Sequence, residues 1–255
     1  ILSRQINGTA NLSYDKTKKI NFQSAVLPDK FVWEKVSKEH FIFFNPKDIV
    51  SGDFYWATLH NSNFYLAVCD STGHGVPGAF MSLLNIGFLN EAIKEKEIVE
   101  PHSILNYVRD RLIDTISNDG QKDGFDGILI CINQTTKKIN YSASNNSPVL
   151  ISDSNLIELP KDRMPVGKGE NLVSFNLYNL PYKENDMLFL STDGYADQFG
   201  GPNGKKFKKK QLNQLLLSNS KLPLEKQKEE LHKNFKTWQG HLDQVDDICI
   251  IGLKL

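Results

Sequence analysis

The chain lacks the features that would tie it to a membrane, a nucleic acid or an oxidising compartment. Its 255 residues carry 30 Lys and Arg against 30 Asp and Glu, and this zero net charge gives no reason to expect a nucleic-acid partner. No apolar run reaches the length of a membrane span, and no signal-peptide pattern is present. The three cysteines, Cys69, Cys131 and Cys249, lie in apolar runs without metal-ligand spacing. An odd number of such thiols favours a reducing cytoplasm.

What the sequence does contain is an ordinary globular balance, with 40% hydrophobic and 24% charged residues. Helices are predicted over residues 77–96, 101–117, 207–218 and 223–238. Strand-like runs fill residues 41–59, 125–192 (including LVSFNLY at 172–178) and 247–255. Strands grouped apart from helix pairs indicate an α+β fold with mainly antiparallel sheet.

The first 27 residues are polar and dotted with lysine, and we interpret them as a helical leader or linker that ends at Pro28. Residues 28–255 then form the main domain. Since the chain begins at Ile1 rather than Met, we expect it to be a piece of a longer protein. The leader either transmits a signal from an upstream module or is an ordinary N-terminal helix that packs on the domain.

The stretch AVCDSTGHGVPGAFMSLL, residues 67–84, is the centre of the interpretation. It predicts a buried strand that ends on Asp70, a glycine-rich turn, and an amphipathic helix. The spacing of its apolar residues predicts that one helix face is turned to the core: Phe80, Leu83, Leu84, Gly87 and Phe88. A structural alternative is that Asp70 merely caps the helix.

A hairpin just before this stretch gives a geometric prediction. A two-residue turn at Asn61 and Ser62 would make Asp53 and Asp70 direct cross-strand partners, with Cβ atoms roughly 4.5–5.5 Å apart. Like charges in that position are destabilising unless a cation lies between them. A bound metal ion would remove the repulsion.

Two further aspartates lie at strand ends, which strengthens the hypothesis of a metal site. Asp193 follows the apolar strand DMLFLST, and Asp246 precedes the last strand. Four carboxylates without a His or Cys cluster favour Mg²⁺ or Mn²⁺ over zinc or copper. Each Asp alone is more simply a turn former or cap, but that explanation is poorer for all four together.

Four motifs in this order carry a resemblance to a known family: SGDFYW, DSTGHGVPGAF, LSTDGYADQ and QVDDICIIG. They resemble the metal-dependent protein phosphatases (PPM family), and more narrowly the bacterial sporulation-stage-II-E-like (SpoIIE-like) branch. The resemblance implies a four-layer α-β-β-α sandwich of two mainly antiparallel sheets flanked by helix pairs. It also implies two Mn²⁺ or Mg²⁺ ions.

The resemblance also implies site residues. Asp53, Asp70, Asp193 and Asp246 match the family's metal ligands, and Ser71 matches the residue that offers a backbone carbonyl. Asp197 matches a position that helps to hold a third, weaker ion. No protein nucleophile is then needed, which agrees with the absence of a G-x-S-x-G elbow, a reactive-looking Cys and a phosphate-binding GxxxxGK[ST] loop.

The sequence departs from the family pattern at three places. Ser51 replaces the first glycine of GGD, and ASNNSP (143–148) replaces AGHNP, so substrate contacts in that loop are open. Eukaryotic relatives carry a His two residues after the ligand Asp, whereas here the nearby His is His74, four residues after Asp70. His74 is therefore interpreted as a residue that fixes its loop rather than as a general acid. The lysine-rich segment 205–210 is a solvated face or, alternatively, a basic rim that attracts phosphorylated protein.

The function expected from all this is a cytoplasmic serine/threonine protein phosphatase, with water activated by two metal ions. It would be the output domain of a bacterial signalling protein, whose longer chain is a candidate for membrane attachment. Its expected partners are a phosphorylated protein, with an anti-sigma-factor antagonist as one candidate, and an upstream sensor or dimerisation module. The alternative is a catalytically silent module that only binds a partner protein.

Overall fold

A computed structural model of the chain describes residues 39–116, 123–170 and 172–255. The predicted leader over residues 1–27, and the start of the main domain at Pro28, lie outside these residues and stay predictions.

The described residues form thirteen strands and five helices. The strands are β1 (His40–Asn45), β2 (Asp53–His60), β3 (Asn63–Ser71), β4 (Gly124–Asn133), β5 (Ile139–Ser144), β6 (Val149–Ser152), β7 (Asn155–Glu158), β8 (Val166–Gly167), β9 (Tyr178–Leu180), β10 (Met187–Ser191), β11 (Phe199–Gly200), β12 (Lys205–Lys206) and β13 (Ile248–Lys254). The helices are α1 (Gly75–Asn90, continued by a π-helical turn at Glu91–Glu95), α2 (Pro101–Ile116), α3 (Gly194–Asp197), α4 (Lys209–Asn219) and α5 (Leu224–Gln239).

Two large antiparallel sheets make the centre of the fold. Sheet I has the strand order β1-β13-β10-β6-β7, and sheet II has the order β2-β3-β4-β5-β9, with β8 paired to β4. A small ribbon of β11 and β12 lies apart from both. The α+β class predicted from the grouping of strands and helices is confirmed.

Three layers of apolar side chains fill the spaces between the elements. One cluster lies between sheet II and the pair α1–α2, and includes Phe54, Leu89 and Ile104. A second lies between the two sheets. The third packs α4 and α5 on sheet I around Phe189 and Phe235. This is the four-layer α-β-β-α sandwich that the family resemblance implied.

The hairpin between β2 and β3 forms as the sequence predicts. Asn61 and Ser62 both have positive φ, at 46° and 63°, as a two-residue type I′ turn requires. Asp53 is therefore the cross-strand partner of Asp70.

The predicted core face of α1 is wrong at three of its five residues, while Leu84 is half-buried and packs on the core. Phe80 is 70% exposed, Leu83 is 43% exposed, and Gly87 is also exposed, although Phe88 is buried. The buried face near the start of the helix carries small and polar side chains, Gly78, Ala79, Ser82 and Asn85. Hydrophobic spacing failed here because that part of the helix packs on the backbone of two loops, where small side chains and hydrogen-bond donors are required.

The predicted strand at LVSFNLY is also mostly wrong, since β9 contains only its last residue, Tyr178. The preceding backbone is held by side chains of α2 instead of a neighbouring strand. Arg109 Nη1 donates to the carbonyl oxygen of Val173 (2.6 Å), and the Phe175 amide donates to Asn106 Oδ1 (3.1 Å). These contacts satisfy backbone groups that a sheet would otherwise pair.

One helix among the described residues, Gly75–Glu95, is long and apolar enough to cross a membrane by length and composition, although no such run was expected. Half of the window is buried inside the fold, and a core helix passes the same test. This is weak support for a membrane span.

The corrected orientation of α1 can be tested with two phenylalanines of the same helix. Phe88→Ala should lower the free energy of unfolding by about 3–5 kcal/mol, because the side chain is 6% exposed and its loss leaves a cavity. Phe80→Ala should change it by less than about 0.5 kcal/mol, as for most surface positions. Urea unfolding of both variants measures this; equal losses would contradict the orientation.

Candidate metal centre

Three carboxylates lie in one row across neighbouring strands of sheet II. Asp53 on β2 pairs with Asp70 on β3, and Asp70 pairs in turn with Asp126 on β4. Sequence analysis missed Asp126. No local turn links β3 to β4, because α1 and α2 lie between them, so their pairing could not be derived from the sequence.

Sheet I supplies two more carboxylates at the same end of the sandwich. Asp193 follows β10 and precedes α3, and Asp246 lies just before β13. A cleft of about 450 Å³ opens there, and Asp70, Asp126 and Asp246 line it together with the buried Ser71. The fold thus brings the predicted ligands to one place.

Thr192 connects the two sheets directly beneath this cleft. Its hydroxyl donates to Asp53 Oδ2 at 2.6 Å and accepts from the Cys249 amide at 2.9 Å. Asp53 is only 2% exposed, so this hydrogen bond is the means by which a carboxylate of sheet II is fixed against β13 of sheet I.

The two aspartates of the terminal DD pair have different surroundings. Asp247 is 2% exposed, and its carboxylate accepts hydrogen bonds from the Lys47 amide (2.7 Å) and the Gly52 amide (2.8 Å). It therefore holds the loop that leads into β2. Asp246 faces the cleft. The sequence analysis gave no role to Asp247; its position beside the predicted ligand was the available signal.

The polar face of α1 holds the two loops that carry Asp53 and Asp70. Ser82 Oγ donates to the carbonyl oxygen of Gly52 at 2.7 Å, and Asn85 Nδ2 donates to Ser71 Oγ at 3.0 Å. The Ser71 amide also donates to the Gly52 carbonyl oxygen at 3.2 Å. The backbone carbonyl predicted as a ligand, that of Ser71, thus belongs to a fixed residue.

Close backbone approach explains the glycines that adjoin Asp53 and Asp193. A Cβ on Gly52 would lie 2.3 Å from the carbonyl oxygen of Gly73, and a Cβ on Gly194 would lie 1.9 Å from that of Asp247. Neither space can hold a methyl group without movement of backbone. Only glycine lets these turns come together at the cleft.

Burial and mutual repulsion raise the pKa values of the carboxylates near the cleft. Burial raises the pKa of Asp70 to about 8, with further contributions from the charges of Asp193 and Asp246. Loss of surrounding water and the charges of Asp197 and Asp246 raise the pKa of Asp193 to about 6. The pKa of Asp53 is also raised well above its usual range, first by burial and then by Asp70.

These properties fit divalent metal ions with oxygen ligands. A cation in the cleft would relieve the repulsion, and carboxylates and backbone carbonyls are the donors that Mg²⁺ and Mn²⁺ prefer. The described residues hold no group of three or more His, Cys, Asp or Glu side chains already placed around one point. Ligand side chains would therefore have to turn toward an ion.

The other predicted site residues lie around the cleft in separate contacts. Asp197 Oδ2 accepts a hydrogen bond from Lys206 Nζ at 2.7 Å. His74 lines the cleft, but Nδ1 of its exposed side chain lies 3.4 Å from Asp48 Oδ2, in the loop between β1 and β2. From the ASNNSP loop, Asn145 Nδ2 donates to Asp126 Oδ1 at 2.9 Å.

The raised pKa values predict how the metal-free protein responds to pH. Between about pH 4 and pH 8 the folded chain binds more protons than the unfolded chain, so its stability falls as the pH rises. Asp70→Asn removes one such group and should abolish about 3–4 kcal/mol of the loss between pH 5 and pH 8. Denaturant unfolding in chelator measures this, with Asp153→Asn, in an exposed turn, as the control. A parallel pH dependence in Asp70→Asn and the unmodified protein would contradict the repulsion.

Comparison with known proteins places the chain in a family. A family model described as Stage II sporulation protein E (SpoIIE) matches residues 60–255. No curated protein sequence matches. Among solved structures, the SiaA-PP2C domain of Pseudomonas aeruginosa is 28% identical, with 91% of this chain and 92% of that one covered and a TM-score of 0.83.

Two more distant structures share the fold. The PP2C phosphatase domain of SpoIIE from Bacillus subtilis, with a fragment of its regulatory domain, is 16% identical (TM-score 0.69, covering 85% of this chain and 63% of that one). RsbX in complex with magnesium is 17% identical (TM-score 0.57, covering 85% and 94%). The family model covers more than three quarters of the sequence, and the chain therefore belongs to the SpoIIE family.

Proposed function

We propose that this chain is a metal-dependent protein phosphatase that hydrolyses phosphoserine and phosphothreonine. A phosphoprotein phosphatase, which is a hydrolase, is the enzyme class that the family and the fold support. The observation that carries the proposal is the convergence of aspartates from both sheets on one cleft, where their mutual repulsion calls for cations.

In this proposal Asp53, Asp70, Asp193 and Asp246, with the Ser71 carbonyl, hold two Mn²⁺ or Mg²⁺ ions. When bound, such ions supply activated water and neutralise charge on phosphoryl oxygens. A relative by fold, RsbX, is described in complex with magnesium, which agrees with this choice of ion. The chain's own contribution is to keep the ligands in position through Thr192, Ser82 and Asn85.

The described cysteines give no competing nucleophile. Cys69, Cys131 and Cys249 are all buried. Burial raises the thiol pKa to about 11 at Cys131 and well above its usual value at Cys69 and Cys249, so none is a thiolate near neutral pH. This supports direct attack by water rather than a covalent enzyme intermediate.

The alternative, a silent module that only binds a partner, is less well supported. A module without catalytic use for metal would gain stability from losing any of the mutually repelling carboxylates. All four are present, and a fifth, Asp126, lies in the same row.

The cellular setting is proposed from the relatives. Solved neighbours include RsbU and RsbW domains and a protein of the bacterial stressosome. We accordingly place this domain in the cytoplasm, downstream of a sensor or dimerisation module, and acting on a phosphorylated regulatory protein such as an anti-sigma-factor antagonist.

The proposal predicts a metal requirement and a matched pair of variants. Activity on a phosphoserine peptide should require Mn²⁺ or Mg²⁺, disappear in excess chelator and not return with zinc.

Asp70→Asn should weaken Mn²⁺ binding at least about 100-fold. Loss of a residue that only supports a ligand weakens metal binding by about 10–100-fold, and loss of the ligand itself should cost no less. Asp153→Asn removes a carboxylate far from the cleft and should behave like the unmodified protein. Calorimetric Mn²⁺ titration and peptide turnover measure both; full activity in chelator would refute the proposal.

The third, weaker ion predicted at Asp197 has a competitor in the Lys206 ammonium group, which already binds that carboxylate. Lys206→Met should strengthen the weakest Mn²⁺ site about two- to fivefold, the range expected for loss of one exposed ion pair. Lys205→Met is the control at the neighbouring exposed position. Counting bound Mn²⁺ by electron paramagnetic resonance distinguishes them, and identical titrations would contradict a site at Asp197.

A further inference from the structure

Three cations lie near one another beside the acidic cleft, and we call Lys161, Arg163 and Lys209 the basic strip. We propose that the basic strip docks acidic side chains that flank the phosphorylated residue of a protein substrate. This inference rests on the proposed phosphatase function and adds a substrate preference to it.

The loop that carries Lys161 and Arg163 is built into the wall of the cleft. The Asn145 amide donates to the carbonyl oxygen of Asp162 at 2.8 Å, and Ser144 Oγ donates to that of Met164 at 2.7 Å. Asn145 and, from this loop, Pro165 line the cleft itself. Residues 161–163 are thereby fixed beside the place where a phosphorylated side chain would enter.

The residue between the two cations is a buried anchor for this loop. Asp162 is 9% exposed and accepts hydrogen bonds from the Asn176 amide (2.9 Å) and side chain (2.5 Å). Lys161 and Arg163 flank this buried anchor in the chain. Arg163 is exposed.

Lys161 makes no salt bridge within the described ranges, although the charges of Glu158 and Asp126 act on it. Its ammonium group donates to the carbonyl oxygen of Asn145. Burial, and then the charge of Lys209, lower the pKa of Lys161. A partly desolvated ammonium group is unfavourable unless an anion compensates it, and a substrate can bring that anion.

Lys209, at the start of α4, continues the strip beside the same loop. Its Nζ lies 3.5 Å from Glu158 Oε2, while Asn213 Nδ2 donates to the other oxygen of that carboxylate at 2.5 Å. Glu158 precedes Lys161 by three residues. Of the carboxylates whose charge acts on Lys161, Glu158 is exposed and already hydrogen-bonded, and Asp126 belongs to the cleft. Asp162 is buried, so the exposed side of the basic strip keeps positive charge.

The geometry of a peptide decides what this charge can recognise. An extended segment advances roughly 3.3–3.6 Å per residue. With the phosphorylated residue in the cleft, side chains two to four positions away therefore lie about 7–14 Å from it. Glu or Asp at those positions would meet the basic strip, whereas the carboxylates of the cleft itself would repel them unless metal ions are bound.

The test uses three phosphoserine peptides that differ only in the four residues on each side: alanine, glutamate or lysine. For the unmodified protein with Mn²⁺, kcat/KM should be about tenfold higher for the glutamate peptide than for the alanine peptide, and the advantage should shrink at high salt. Lys161→Gln/Lys209→Gln should remove this preference, and Lys161→Glu/Lys209→Glu should transfer it to the lysine peptide.

The control Lys221→Gln/Lys228→Gln removes equal charge at the other end of the sandwich, where Lys221 lies near Met187, and should keep the preference. Fluorescence anisotropy of the same peptides without phosphate measures their binding affinity in the absence of turnover. It therefore separates failure of the basic strip from failure of the phosphatase function. No preference in either measurement, or an equal effect of the control variant, would overturn the proposal. So would equal competition by a single-stranded nucleic acid, which would indicate a general polyanion surface.

Discussion

Repulsion between carboxylates at one end of the sandwich is the constraint that the rest of the structure must offset. Asp53, Asp70 and Asp126 lie in a single row on sheet II, and sheet I brings Asp193 and Asp246 to the same cleft. Burial makes each negative charge more costly, so the folded chain without a cation holds protons that a free aspartate would release. The apolar layers between helices and sheets must supply the stability that this arrangement removes.

The site also depends on contacts that link every layer near the cleft. Thr192 fixes Asp53 to β13, Asp247 fixes the loop before β2, and Ser82 connects that loop to α1. A shift of α1 would therefore move the Gly52 and Ser71 backbone together. Displacements of about 1 Å at a reacting centre can cost on the order of 100-fold in rate. This makes α1 the described element whose position most directly controls the geometry of the cleft.

Sequence reasoning succeeded where geometry is local and failed where it is not. The facing of Asp53 and Asp70 could be predicted because a two-residue turn fixes the pairing of its strands. Asp126 could not, because its pairing with Asp70 is set by packing across two intervening helices. The core face of α1 was predicted wrongly, since hydrophobic spacing says nothing about Ser82 and Asn85, which are buried for their hydrogen bonds. The family resemblance named aspartates that the fold brings near one cleft, but it did not name Thr192, Ser82 or Asn85, which hold the surrounding backbone and side chains.

The most direct test of this account is a count of protons released when the metal-free protein binds Mn²⁺. Calorimetric titration near pH 7 in two buffers with different ionisation enthalpies gives both the number of ions bound and the number of protons set free. The proposed ligand set predicts two ions per chain. Burial and neighbouring charge raise the pKa of Asp70 to about 8, so near pH 7 this carboxyl group holds a proton that metal binding should release. Binding without proton release, or no saturable binding, would contradict it.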